Sequence, residues 1–158
     1  MTPIWKWLVC MTFAGLLGCS GALSSATGGR EAKPPAGLEE AMALWAASGI
    51  ENYQITVQQS CFCLREFTQP LRVTVYGDQV ANVTGLEQPL SQREQLDTSR
   101  LTVAGLFAFI GDAQRRDVER LEVRYHPDLG YPVEIAYDGH AMIADDEWHV
   151  SLSELTPE

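Results

Sequence analysis

Four cysteines, three histidines and a short run of acids are the residues of this 158-residue chain whose types could do chemistry. Cys61 and Cys63 stand two apart in Gln59-Ser60-Cys61-Phe62-Cys63-Leu64-Arg65. As thiolates, joined by His140 or Met142, they would suit a soft ion such as copper or zinc. That needs reduced sulfur, and the sequence offers no fixed third and fourth ligand. As redox thiols they would need a depressed pKa, which a cation or a helix start supplies; Arg65 is close, but no helix start is. As a disulfide they would need a bend, because residues i and i+2 of a regular strand lie about 6.6 Å apart, near the top of the roughly 4.4–6.8 Å bridging range. Closing so small a loop stabilises a fold by only about 1.6 kcal/mol, which makes the bond a local brace. The disulfide is the favoured reading and the soft-metal site the alternative.

His126, His140 and His149 show no signature spacing to a Ser or Cys nucleophile and a carboxylate. No Gly-x-Ser-x-Gly, His-Glu-x-x-His or phosphate-cradling glycine loop occurs either, so no enzyme and no cofactor are expected. Asp138, Asp145, Asp146 and Glu147 could offer hard oxygen ligands to calcium, but their spacing matches no calcium loop. A solvated turn that keeps a sheet edge polar is the favoured role for them. Tyr125, His126, Asp128 and Tyr131 gather in Tyr-His-Pro-Asp-Leu-Gly-Tyr-Pro, where turn formation alone accounts for Pro127, Asp128, Gly130 and Pro132. Both segments are carried forward as binding-loop candidates.

The elements that must position these groups begin after an export signal. Lys6 precedes an uncharged, largely apolar run from Trp7 to Gly18, about a dozen residues against the roughly 20 that a membrane-spanning helix needs. Leu16-Leu17-Gly18-Cys19 resembles the lipobox of bacterial lipoproteins. Residues 1–18 are therefore expected to be a lipoprotein signal peptide and Cys19 the acylated first residue of the mature chain, held at the membrane by its acyl chains without a spanning helix. Ser20, rather than Asp, would send the protein to the periplasmic face of the outer membrane in a Gram-negative cell. Removing the signal takes away one of 11 basic residues and none of 21 acidic ones. So acidic a chain disfavours a nucleic-acid partner, which needs a basic face.

From Cys19 to Gly37 the chain is rich in Gly, Ala, Ser and Pro and reads as a flexible tether, leaving 38–158 as one globular domain. Leu38, Met42 and Trp45 form one helical stripe that Gly49 should end. Tyr53, Ile55 and Val57, and Leu71, Val73 and Val75, alternate with polar residues as half-buried strands do, and a turn at Tyr76–Gln79 leads to a third strand, Val80–Thr84. After a polar connection, Thr102 caps a helix whose apolar face is Val103, Leu106, Phe107 and Ile110. Three strand patterns follow, around Leu121–Tyr125, Val133–Tyr137 and Trp148–Leu152. "PLRVTVYGDQV" from Pro70 resembles "PVEIAYDGHAM" from Pro132, with Gly77 falling on Gly139. The expectation is an α+β fold: one antiparallel sheet of about six strands with two helices on one face, and a possible tandem helix-plus-three-strand repeat.

These motifs in this order, "LWAASGIENYQITV", "CFC", "PLRVTVYGDQVANVTG", "TVAGLFAFI", "VRYHPDLGYPVEIAYD" and "IADDEWHVSL", resemble the bacterial lipoproteins that carry the domain of unknown function numbered 6174. The likeness runs from about Trp45 to Leu152. It implies a fold and an address, and transfers no catalytic residue. In some members a cysteine near the acidic run could pair with one on the first strand; here Trp148 and His149 hold those positions. The resulting expectation is a non-enzymatic, lipid-anchored module that binds an unknown envelope protein or component through its loops or its uncovered sheet face. An exposed apolar or aromatic patch on that face would mark the latter.

Overall fold

The computed structural model describes residues 33–143 and 145–158. The expected signal, Cys19 and most of the tether lie outside the described residues.

Helix α1 spans Leu38–Ser48, with Glu39 and Glu40 in the first turn, where the helix dipole favours anions, and Gly49 closing it through a bond from its N–H to Ala46 O at 3.3 Å. Its inward stripe differs by one residue from the expected one. Leu38 and Trp45 pack on the core, but Met42 is exposed and Ala41 is fully buried in its place. Positions 38, 41 and 45 share a helical face as well as 38, 42 and 45 do. The chain at Gly130 presses against the backbone of this turn: a Cβ on Gly130 would lie 2.2 Å from Ala41 O.

Strands β1 (Asn52–Cys61), β2 (Leu71–Tyr76) and β3 (Gln79–Gly85) form the first meander. Helix α2 (Val103–Arg116) precedes β4 (Arg120–Tyr125), β5 (Pro132–Asp138) and β6 (Trp148–Pro157). The six strands make one antiparallel sheet in the order β3-β2-β1-β6-β5-β4. The period-2 alternation converts directly into register: Tyr53 stands opposite Val75, Ile55 opposite Val73, Val57 opposite Leu71 and Leu152, and Ile135 opposite Val150. All of these are buried on one face, where both helices pack. Strand β6 runs past Leu152 to Pro157, giving β1 a partner along nearly its whole length.

Helix α2 starts at Thr102 as its sequence requires, the hydroxyl accepting from Gly105 N–H at 3.0 Å. A second free amide, Val103 N–H, donates to the buried Tyr53 hydroxyl at 2.8 Å and so ties the helix start to β1.

The helix-plus-three-strand order does occur twice, yet the halves do not superpose. Alternation along the sheet gives β4 the direction opposite to β1, while both meanders advance the same way across the sheet with their helices on the same face. The two units therefore have opposite hands. Their similar sequences give similar strands but different turns. Gly77 and Asp78 have φ of 52° and 62°, the left-handed pair of a two-residue hairpin, whereas Gly139 opens the longer β5–β6 connection.

Candidate functional site

At one end of the sheet, where β1 finishes and β6 begins, Cys61 stands directly opposite Trp148. The sulfurs of Cys61 and Cys63 lie at disulfide-bonding distance, 2.00 Å, with alpha carbons 5.3 Å apart. That spacing is well short of an extended strand, so the chain bends at Phe62. Cys61 is half-buried and Cys63 exposed, while the Phe62 ring between them is 85% exposed. Each flank has its own anchor. Cys61 belongs to the β1–β6 ladder, and beyond Cys63 a 3₁₀ turn over Arg65–Phe67 closes with Phe67 N–H on Leu64 O at 2.8 Å and buries Phe67.

A cavity opens on either side of this tip. The one on the helix side, about 560 Å³, is walled by the two cysteines, Phe62, Leu64, Phe67, Leu96 and Trp148, with Gln59, Gln95, Asp97 and Arg100 as its polar members. Trp148 is fixed there by a hydrogen bond from its indole N–H to Gln59 Oε1 at 3.1 Å and by edge-on contact with Phe109, centroids 4.9 Å apart. The Arg100 guanidinium lies 4.5 Å from the Phe109 ring centroid and 5.3 Å from that of Trp148, with Asp97 at 3.8 Å. The second cavity, about 630 Å³, lies over the uncovered face at Ser60, Phe62, Ala136 and His149.

That uncovered face is polar, which corrects the expected apolar marker. Arg120 pairs with Glu122 at 2.9 Å, Glu134 takes Arg124 and His149, the latter at 3.0 Å, and Gln54 and Tyr76 both donate to Glu158 at 2.6 Å. The His149 and Arg124 hydrogen bonds hold the Glu134 carboxyl below its ordinary range, and Arg120 does the same to Glu122. Tyr76 is the exposed aromatic of this face among the described residues and its hydroxyl is engaged; Phe62, at the tip, is the freely exposed ring among them.

The two binding-loop candidates sit at opposite ends of the sheet, because one joins β4 to β5 and the other β5 to β6. In the first, Tyr125 and Tyr131 are buried, which raises both phenol pKa values. His126 stacks on Tyr131 with centroids 4.9 Å apart, and its Nδ1 accepts from the amides of Asp128 and Leu129, both at 3.2 Å. Tyr131 O in turn accepts from His126 N–H at 2.8 Å. These groups are spent on the loop itself, and Gly130, at φ 75°, brings it against α1. In the second, Asp145 is exposed, Glu147 reaches the open-face cavity, and one buried Asp146 oxygen has no hydrogen-bond partner among the described residues. His140 and Met142 are exposed on the same connection, where His140 Nδ1 accepts from Met142 N–H at 3.2 Å. Neither lines a cavity that the cysteines line.

Several positioning residues escaped the sequence reading. Gln69 is 4% exposed and makes four bonds: its amide donates to Glu66 O at 2.8 Å and Gln88 O at 3.1 Å, and its carbonyl accepts from Glu87 and Gln88 N–H, each at 2.8 Å. The Glu66 carboxylate accepts from Ser91 N–H at 2.7 Å, Ser91 Oγ at 2.9 Å and Gln92 N–H at 2.8 Å, which lowers its pKa. Together they pin the polar connection that carries Gln95, Leu96, Asp97 and Arg100 to the tip. A Gln before a Pro and a Glu in a loop have no periodicity to betray them, and Arg100 had no partner visible in sequence.

An open-faced α+β domain with a disulfide-braced aromatic tip is the class that this fold and site define. The chain matches the model of a family of unknown function, DUF6174, over residues 37–157, and belongs to that family. No curated protein and no solved structure matches it.

Proposed function

We propose that this chain is an exported lipoprotein, anchored through Cys19, whose domain is a non-enzymatic binding module of the cell envelope. Its partner, an envelope protein or component, is engaged through the disulfide-tipped end of the sheet rather than the polar face. The observation that carries this reading is Phe62, a large ring 85% exposed and held between two bonded cysteines with a cavity on either side. Exposed aromatics on a preorganised backbone are the usual anchors of interfaces, because little freedom is lost on binding. The histidines support a binding role over a hydrolytic one. His126 and His140 spend Nδ1 on backbone amides of their own turns, and His149 is held by Glu134.

Placing a photo-crosslinking phenylalanine analogue at position 62 in cells tests the surface, with the same analogue at Thr74 on the open face as control. A discrete adduct from 62 and none from 74 is expected; equal adducts, or none from 62, overturn the tip as the binding surface. Cys19→Ala should move the protein out of the membrane fraction and abolish incorporation of a clickable palmitate analogue. Retention of both refutes the anchor.

A further inference from the structure

We infer that the Cys61–Cys63 tip is a thiol–disulfide exchange site whose substrates are dithiols. The inference goes beyond partner binding, adding a reaction to a tip that the binding reading treats as inert, and it rests on where the bond lies, on how its flanks are held and on the unequal exposure of its two cysteines. Most structural disulfides tie together segments that would otherwise part, and their sulfurs are buried. This one spans a single residue, and both of its flanks are held without it: Cys61 by the ladder to Trp148, and the chain after Cys63 by the Arg65–Phe67 turn with Phe67 in the core. Opening the bond frees Phe62 and Cys63 and nothing else. The two cysteines also differ in exposure, with Cys63 exposed and Cys61 half-buried in the ladder.

Exchange requires an incoming thiolate to reach one sulfur in line with the other. The difference in exposure assigns the roles. A thiolate of the dithiol attacks Cys63 Sγ, the Cys61–Cys63 bond breaks, and Cys61 departs with the bonding pair and takes up a proton from water. The second thiolate of the dithiol then attacks the sulfur of its own molecule in the mixed disulfide and expels Cys63 as thiolate, which takes up the second proton from water. Two electrons and two protons pass from the dithiol, which becomes a disulfide, to the protein, which becomes a Cys61/Cys63 dithiol. The reverse reaction reoxidises the tip at the expense of a second disulfide. An exposed, uncharged ring at Phe62 with a cavity on either side leaves room for a protein dithiol to approach.

The test uses the full chain in detergent micelles. Native protein is treated with dithiothreitol, alkylated, digested and mapped by mass spectrometry, with circular dichroism followed in parallel. Reduction of Cys61–Cys63 is expected under native conditions with the far-ultraviolet spectrum unchanged and the melting temperature within a few degrees. A second arm exposes the Cys61→Ser and Cys63→Ser variants to an aromatic disulfide reagent. The thiol of Cys63 in the first variant should react at least tenfold faster than that of Cys61 in the second. The inference is overturned if the bond resists dithiothreitol until the domain unfolds, if reduction melts the domain, or if the two thiols react at equal rates.

Discussion

Replacing Tyr53 by Phe removes one oxygen atom and leaves the ring where Trp45 meets it edge-on, centroids 5.6 Å apart. What is lost is the acceptor for Val103 N–H, 2.8 Å away, at a buried helix start. Stranding a buried amide costs about 1–3 kcal/mol. At roughly 4 °C per kcal/mol for a domain of this size, the melting temperature should fall by about 4–12 °C. Urea unfolding should show a lower midpoint with an unchanged slope, since the buried surface is the same. Alkaline pH supplies an independent check. Burial pushes the Tyr53 pKa up to about 12 from 10.0, so the fold favours the neutral phenol. A raised folded-state pKa gives stability that is complete below pH 10 and is lost as pH rises through 12, a loss of about 2.7 kcal/mol in all. Tyr53→Phe has no such loss. The variant should therefore be the weaker protein at pH 8, and the two stability curves should converge between pH 10 and 12. Tyr125 and Tyr131, raised in the same direction, titrate in both proteins and cancel in the difference. A penalty under about 0.5 kcal/mol at pH 8, or curves that stay parallel to pH 12, would show that the hydroxyl is not holding α2.

Gly130→Ala should destabilise the domain by about 2–4 kcal/mol in a thermal melt, from left-handed strain at φ 75° together with a methyl group driven against Ala41 O and Leu44; a change below about 0.5 kcal/mol would mean the loop can lift off α1 freely. Glu66→Gln should flatten the acid limb of the stability curve. The carboxylate, held low by Ser91 and Gln92 amides in its loop, contributes stability above its ordinary range near 4.5 that is lost as pH falls through the lowered value. Superimposable acid-unfolding curves for the two proteins would refute that role. Phe62→Ala should change stability by less than about 0.5 kcal/mol, since its ring is already in water, while abolishing partner capture; a large loss of stability would mean that the ring packs in solution.

Strands β1 and β2 and helix α2 were legible because each carries one unbroken periodicity over several residues, and the structure buries Tyr53, Ile55, Val57, Leu71, Val73, Val75, Leu106 and Ile110 along those faces. Strand β4 was legible in place but not in depth: Leu121 and Val123 alternate correctly yet stay half-exposed, because β4 is an edge with a neighbour on one side only. Met42 misled because positions 41 and 42 both complete an apolar stripe with 38 and 45, and only tertiary packing, which buries Ala41, chose between them. The opposite hands of the two halves were invisible, since similar strands and a shared glycine say nothing of direction across a sheet. At the site, a disulfide was the favoured of the readings open to Cys61 and Cys63, and their sulfurs do lie at bonding distance. The walls around it were not legible, because Arg100, Asp97 and Trp148 lie far from Cys61 along the chain and meet it only through the β1–β6 register and the Gln69–Glu66 loop.

The disulfide is the one covalent device in the described fold, and its position asks for a reason other than stability. A loop of three residues returns about 1.6 kcal/mol at best, an amount that one well-packed methyl-bearing side chain matches. The ladder already fixes Cys61 and the 3₁₀ turn already fixes Leu64, so the bond determines only where Phe62 points. Two uses remain, aiming the ring and reacting with thiols, and they separate in the variant carrying Ser at both 61 and 63. Aiming predicts that crosslinking from position 62 falls as the tip loosens, even in a fully reducing-agent-free assay. Reaction predicts that crosslinking survives and dithiol oxidation disappears. If both persist, neither use explains the bond; if both vanish, the tip binds what it oxidises.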